Sequence, residues 1–65
     1  MLQADGVTMY KVTIELIFKT GQKILFFGES PRREIAKAIA EHKEKDFLFE
    51  NPNGVVDRSM EVVKL

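Results

Sequence analysis

The 65-residue sequence has no cysteine and no tryptophan, a single histidine, two prolines and four glycines. Without cysteine it can form neither a disulfide nor a thiolate metal site. A domain of this length buries only about 60% of the surface that its unfolded chain exposes. We therefore expect tight packing or self-association to supply its stability, and the lack of cysteine fits a cytoplasmic location.

Neither sign of charge is in excess, since ten lysines and arginines balance ten aspartates and glutamates. Binding to nucleic acid draws much of its affinity from neutralised phosphates, so the composition does not favour it. No apolar run approaches the roughly 20 residues of a membrane helix. The opening "MLQADGVT" has neither a basic nor an apolar signal region. We expect no membrane association, a flexible N-terminal lead-in over residues 1–8, and one domain over residues 9–65.

The stretch "TIELIFKTGQKILFFG" predicts a β-hairpin with two apolar faces. Residues from Tyr10 to Lys19 alternate with a period of two, which is typical of a strand. "KTGQ" predicts a type I turn with Gly21 in the left-handed conformation, followed by a second strand that ends at Gly28. This register places Ile24 and Phe26 on the face of Leu16. It places Leu25 and Phe27 on the other face, beside Ile17. A shift of one residue would exchange the two pairs and would still leave apolar residues on the outer face.

The segment "SPRREIAKAIAEHKEK" predicts a helix over residues 31–45, with Ser30 as the N-cap and Pro31 at the first helical position. Its narrow apolar stripe comprises Ile35, Ala36, Ile39 and Ala40. The side chains expected to face water are Arg32, Lys37, Glu41 and Glu44.

After the helix, "FLFE" predicts a short strand with Phe47 and Phe49 on one face, and "NPNG" predicts a turn. "VVD" and "EVVKL" predict further strands that are interrupted at "RSM". Because a crossover connection is right-handed, we expect the third strand to lie parallel beside the first. The predicted fold is a two-layer α+β domain, with one helix on a four- to five-stranded mixed sheet in the order β-β-α-β-β.

Three resemblances bear on this fold. Residues 14–44, with the hairpin closed by "KTGQ" and the Ser/Pro-started helix, resemble the opening of a ubiquitin-like β-grasp. Residues 10–65, with their charged helix and closing "VVDRSMEVVKL", resemble small orphan proteins of Firmicute phages and prophages. "YKVTIEL" and "EVVKL" are similar to the phage-encoded inhibitor of uracil-DNA glycosylase, although that inhibitor is acidic. The last two resemblances imply a phage-type protein that acts on another protein.

The sequence offers no constellation typical of catalysis or of metal binding. His42 lies near Glu41, Glu44 and Asp46, but no second histidine or cysteine completes a usual ligand set. Ser30 and Ser59 lack a neighbouring base with an orienting group. We expect no catalytic, cofactor or metal site, and therefore a protein that is not an enzyme.

Arg32, Arg33 and Lys37 are the candidate anion-binding residues. Two cations in the first helical turn oppose the helix dipole, yet with the free N–H groups there they could hold a phosphate or an acidic partner. Alternatively, Glu29 and Glu34 neutralise the two arginines locally. A nucleic-acid-binding module that uses these residues together with an exposed Phe27 is one alternative function. A phage inhibitor of a host DNA-repair enzyme such as uracil-DNA glycosylase is the other.

Ile17, Leu25 and Phe27 form the candidate protein-interaction surface, together with Glu15, which we expect to pair with Lys23 across the strands. Contiguous apolar residues on a flat exposed face mark an interaction site. The alternative is that Met9, Leu2 or the "MEVVKL" tail folds over them. We expect a homodimer or a protein partner. The predicted function is a small non-catalytic interaction or regulatory protein of phage or prophage type, acting through this face and an edge strand.

Overall fold

The computed structural model describes residues 8–65, so most of the predicted lead-in, including Leu2, lies outside the described residues. The described chain forms two strands, one helix and a third strand: β1 Tyr10–Phe18, β2 Lys23–Ser30, α1 Arg33–Glu50 and β3 Val55–Lys64. The three strands form one sheet in the order β2-β1-β3, and α1 packs against β2 and β1. The predicted two-layer α+β architecture, with one helix on one face of a sheet, is confirmed.

The predicted hairpin is confirmed in its turn and in its register. Gly21 has a φ of 91°, the left-handed region that glycine adopts without steric cost. Its N–H donates to the carbonyl of Phe18 at 2.8 Å. Leu16 lies opposite Ile24, which fixes the rest of the β1–β2 ladder. Leu25 and Phe27 therefore lie on the same face as Ile17, as the sequence pattern predicts.

The prediction of four to five strands is wrong, because the described residues form three. "FLFE" continues the helix to Glu50 instead of forming a strand. In the helix, Phe47 lies on the side that faces the sheet, where its ring centroid is 5.9 Å from that of Phe18 and 5.6 Å from that of Phe26. This aromatic contact outweighs the β-propensity of the short Phe-Leu-Phe run.

The third strand is antiparallel to β1, so the prediction of a parallel neighbour in a mixed sheet is also wrong. The crossover rule applies to the two strands that the helix joins, β2 and β3, which run in the same direction with β1 between them. "VVD", "RSM" and "EVVK" belong to one continuous strand, and its register irregularity lies opposite Ile17 and Phe18. The likeness to a β-grasp is therefore not confirmed.

The helix begins at Arg33, two residues later than predicted, and its N-cap residue is Arg32 instead of Ser30. Ser30 is the last residue of β2, and its Oγ accepts a hydrogen bond from the backbone N–H of Arg32 at 3.2 Å. This short bond turns the chain from strand to helix without capping the helix itself.

The core lies where α1 crosses the hairpin, and its fully buried apolar residues are Val12, Ile14, Leu16, Ala36 and Ala40. Gly28 lies inside β2, opposite Val12, so the expectation that it ends the strand is wrong. A Cβ at this position would collide with the carbonyl oxygen of Ala36 and would lie 2.8 Å from the backbone nitrogen of Ala40. The helix backbone therefore rests directly on the one strand position that has no side chain.

We predict that Gly28→Ala destabilises the protein by about 3 kcal/mol, the upper end of the usual overpacking cost, because rigid backbone on the helix must move. Gly21→Ala is the matched control, since nothing lies within 4 Å of its added Cβ and only its positive φ of 91° is strained. Its expected cost is about 1 kcal/mol. Urea unfolding followed by circular dichroism measures both. Equal losses in the two variants would contradict the close approach at Gly28.

A charged pair links the helix to β3. Arg58 donates from Nε to Oε2 of Glu44 at 2.6 Å and from Nη2 to Oε1 at 2.9 Å. Glu44 was expected to face water, but the residue is only 7% exposed. The bonds that Arg58 donates to this carboxylate raise the pKa of the guanidinium, and burial offsets part of that rise. The pair therefore fixes β3 to the helix, which otherwise packs on β2 and β1.

We predict that Arg58→Met destabilises the fold by about 1–3 kcal/mol, because it leaves the Glu44 carboxylate buried without its partner. The double variant Arg58→Met with Glu44→Leu should lose less than the sum of the two single losses, since no unpaired charge remains. A double-mutant cycle of urea unfolding gives the interaction energy. Strictly additive losses would show that the pair does not stabilise the fold.

Candidate protein-interaction surface

The outer face of the sheet, which points away from α1, is the surface where the sequence-predicted interaction residues meet. Alternate residues of a strand share a face, and the two ladders give the register of all three strands. The outer face comprises Lys11, Thr13, Glu15 and Ile17 of β1, Lys23, Leu25, Phe27 and Glu29 of β2, and Asp57, Ser59, Glu61 and Val63 of β3.

The apolar part of the outer face lies on β2 and the adjacent end of β1. Leu25 is 49% exposed and Phe27 is 40% exposed, and they are successive residues of the same face. Ile17 is partly buried and lies opposite Lys23, diagonally next to Leu25. Hydrogen bonding of the β1–β2 ladder fixes the backbone positions from which these side chains project.

Charged side chains border this apolar part. Glu15 lies opposite Leu25 and its Oε2 is 3.8 Å from the Nζ of Lys23, which agrees with the predicted cross-strand pair. The ammonium of Lys11 is 4.8 Å from the centroid of the Phe27 ring. Surface pairs of this kind contribute little stability, so displacing Lys11 from the Phe27 ring would cost little free energy.

No segment within residues 8–65 lies across the outer face. The "MEVVKL" tail, one of the covers considered from the sequence, forms the C-terminal half of β3 and lies beside β1 at the edge of the sheet. Met9, another candidate cover, extends that ladder, because its carbonyl accepts a hydrogen bond from the N–H of Leu65 at 2.8 Å. Leu2 lies outside the described residues.

The outer face carries an excess of negative charge although the whole chain is neutral. Two lysines, Lys11 and Lys23, stand against four carboxylates. The carboxylates of this face are those of Glu15, Glu29, Asp57 and Glu61. A surface with an apolar centre and a basic rim is therefore its best electrostatic complement.

The candidate anion-binding residues lie elsewhere, at the start of the helix. Arg32, Arg33 and Lys37 are exposed, and the guanidinium of Arg33 is 5.9 Å from the centroid of the Tyr10 ring. Within residues 8–65, no ion pair joins them to Glu29 or Glu34, the residues expected to neutralise them. Phe27, which was grouped with these cations, lies on the opposite face of the sheet.

The remaining polar side chains do not assemble an active-site arrangement in the described part of the chain. His42 Nε2 is 3.4 Å from Oδ2 of Asp46, and both side chains are largely exposed. No group of three or more potential metal ligands occurs among residues 8–65. A cleft of about 530 Å³ lies between the β1–β2 turn and the segment from Asn51 to Gly54, and Lys19 is the only charged residue that lines it.

Sequence reasoning missed the inner surface of β3, on the side of the sheet that α1 occupies. The helix packs on β2 and β1, so Val62 remains 41% exposed and Met60 is only partly buried. A signal was present, because "VVDRSMEVVK" runs for ten residues without glycine or proline. Dividing this run at "RSM" concealed a long strand at the edge of the sheet.

Among the described residues, the single helix lacks the apolar length needed to cross a bilayer. Comparisons of the chain with models of protein families, with curated proteins and with solved structures found no match.

Proposed function

We propose that the protein is a small non-catalytic interaction protein that binds another protein on its outer face. The observation that carries this proposal is the pair of large apolar side chains, Leu25 and Phe27, held side by side and 40% or more exposed on a face that no described segment covers. Burying an apolar side chain of this size contributes roughly 1.5–3 kcal/mol, which makes each of them a candidate anchor.

The charge of the outer face narrows the class of partner. Four carboxylates and two lysines share the outer face with the apolar pair, so a partner with basic residues around an apolar patch is preferred over one with an acidic rim. Proteins that bind nucleic acid carry basic surfaces of this sort. A host DNA-repair enzyme such as uracil-DNA glycosylase is therefore the specific partner to test. This choice agrees with the phage or prophage type that the sequence resemblances imply.

We predict that Leu25→Lys weakens partner binding at least tenfold, because it places a charge in the apolar centre and removes roughly 1.5–3 kcal/mol of burial. Phe49→Lys is the matched control, since Phe49 is 85% exposed at the end of the helix, away from the outer face. The first measurement is inhibition of purified uracil-DNA glycosylase by the wild type and by both variants.

If the glycosylase is unaffected, the wild type and both variants are immobilised and used to capture proteins from a cell lysate. Candidate partners are those that bind to the wild type and to Phe49→Lys but not to Leu25→Lys. Each is then purified and titrated by calorimetry. Circular dichroism establishes that Leu25→Lys remains folded. A partner that binds Leu25→Lys as tightly as the wild type would rule out the outer face as its binding site.

Nucleic-acid binding at the start of α1 is the second candidate function. It is supported by the three exposed cations, Arg32, Arg33 and Lys37, none of which forms an ion pair within residues 8–65. Helix N-termini favour phosphate through their free N–H groups. This site does not include Phe27, so it would depend on phosphate contacts alone and would read no sequence.

We predict for this second function that a fluorescently labelled oligonucleotide gains anisotropy on adding protein at low salt, and that added salt reverses the gain. The variant Arg32→Gln with Arg33→Gln should abolish the effect, whereas Lys23→Gln, on the outer face, should leave it unchanged. No change in anisotropy at low salt would dispose of this function.

A further inference from the structure

The two edges of the three-stranded sheet differ in how they are occupied. Within residues 8–65, both β2 and β3 have only β1 as a neighbour. On the β2 edge, the ammonium of Lys43 donates to the carbonyl of Phe27 at 2.8 Å. A second strand could not pair there without displacing this bond. Lys43 therefore guards the β2 edge in the way that charged side chains protect free edges of natural sheets.

The β3 edge is longer and less protected. β3 has ten residues and contains neither glycine nor proline. One of its backbone donors is held within the chain, because the N–H of Arg58 donates to Oδ1 of Asp57 at 2.8 Å. Apart from this bond to the Arg58 N–H, no side chain in residues 8–65 forms a hydrogen bond with the backbone of β3. A long free edge of this kind is a template for pairing with another strand.

The ladder identifies the backbone groups that face outwards. In the hairpin, the N–H of Phe18 donates to the carbonyl of Gln22. Because hydrogen-bonded and non-hydrogen-bonded pairs alternate along an antiparallel ladder, the backbone groups of the even-numbered residues of β1 bond to β2. Those of the odd-numbered residues point the other way and bond to β3. The bond from the N–H of Leu65 to Met9 follows the same alternation. Between Arg58 and Lys64, the even-numbered residues of β3 therefore direct their N–H and C=O groups away from β1.

Charge restricts how two copies of β3 can pair about a two-fold axis. An axis at Arg58 would place Arg58 opposite its own copy. An axis at Ser59 would place Asp57 opposite Glu61, and one at Glu61 would place Glu61 opposite its copy. Like charges directly opposite each other destabilise a strand pair. An axis at Met60 avoids them all and still overlaps residues 56–64, whereas an axis at Val62 overlaps only residues 60–64 of the strand.

We propose that two copies of this chain pair through β3, antiparallel and with Met60 on the two-fold axis, to form a continuous six-stranded sheet. Met60 then lies opposite Met60 of the second copy, and Arg58 lies opposite Val62. The axis is perpendicular to the sheet, so both helices lie on the same side of it. The inner side of β3, which α1 leaves open, then forms the surface of the sheet that lies between the two helices.

This inference does not rest on the proposed function, because it uses the edge of the sheet and the inner side of β3. The outer face stays free in the paired form. Association through the β3 edge and partner binding through Leu25 can therefore fail independently of each other.

The register is tested with single cysteines, since the chain has none of its own. In a hydrogen-bonded antiparallel pair, opposite Cα atoms are about 5.5 Å apart, a spacing that a disulfide spans. We expect Met60→Cys to form a disulfide-linked dimer under mild oxidation. Val62→Cys should remain monomeric on a reducing-agent-free gel, because its copies would lie about 14 Å apart at ~3.4 Å per residue. Cross-linking at position 62 but not at position 60 would overturn the proposed register.

The edge itself is tested with proline. Val62→Pro removes an N–H that points away from β1, so the fold should persist while pairing is lost. We expect light scattering to give twice the chain mass of 7.5 kDa for the wild type and the single mass for Val62→Pro. Circular dichroism establishes that the variant is folded, and Leu25→Lys should keep the double mass.

Two outcomes would overturn pairing through β3. One is a wild type that stays monomeric at the highest concentration at which it remains dissolved. The other is a folded Val62→Pro variant that keeps the double mass. If Leu25→Lys then loses the double mass, the contact lies on the outer face instead.

Discussion

The contact between the backbone of α1 and Gly28 determines how the rest of the molecule is arranged. Because the strand has no side chain there, Ala36 and Ala40 bring the helix down onto β2, with Ile39 Cβ 3.0 Å from the position of a Gly28 Cβ. The helix is thereby placed over the hairpin and not over the centre of a wider sheet. This placement buries Val12 and Ile14 and leaves the inner side of β3 open.

The offset of the helix gives the small domain three different surfaces. The outer face of the hairpin presents the apolar residues Leu25 and Phe27, while its inner face forms the core with α1. The start of α1 presents three exposed cations that form no ion pair within the part of the chain that the structure describes. The far edge presents the backbone of β3. The helix and strands of residues 8–65 cover none of these three surfaces. The proposals for function follow from the surfaces that remain.

The sequence was sufficient to predict the hairpin, because its period-two pattern and the KTGQ turn are local signals. The same signals placed Ile17, Leu25 and Phe27 on one face, and the structure confirms that placement. The second half depended on contacts distant in sequence. The Phe-Leu-Phe run is helical because Phe47 packs against Phe18 of β1 and Phe26 of β2. No local propensity reveals a contact of that kind.

The direction of the last strand and the burial of Glu44 escaped prediction for a related reason. Glu44 reads as a solvent-facing residue on a charged helix until Arg58 of β3 is brought beside it. The expected parallel pairing applied the crossover rule to the wrong pair of strands, because nothing in the sequence states that β1 lies between β2 and β3. What remained unpredicted was therefore the position of β3, and with it the inner surface that α1 leaves exposed.

The way β3 is attached has a consequence for the dynamics of the molecule. None of its side chains is fully buried, although Val55 and Met60 pack against the core, and Arg58 pairs with Glu44 of the helix. Among residues 8–65, the hairpin and α1 contain all the completely buried apolar residues, and the two are adjacent in the chain. Such a division is typical of proteins that open in parts, with the weakly packed element leaving first. Release of β3 would expose the edge of β1 with which it pairs. Two molecules opened in this way could each bind the β3 of the other, an exchange known as domain swapping.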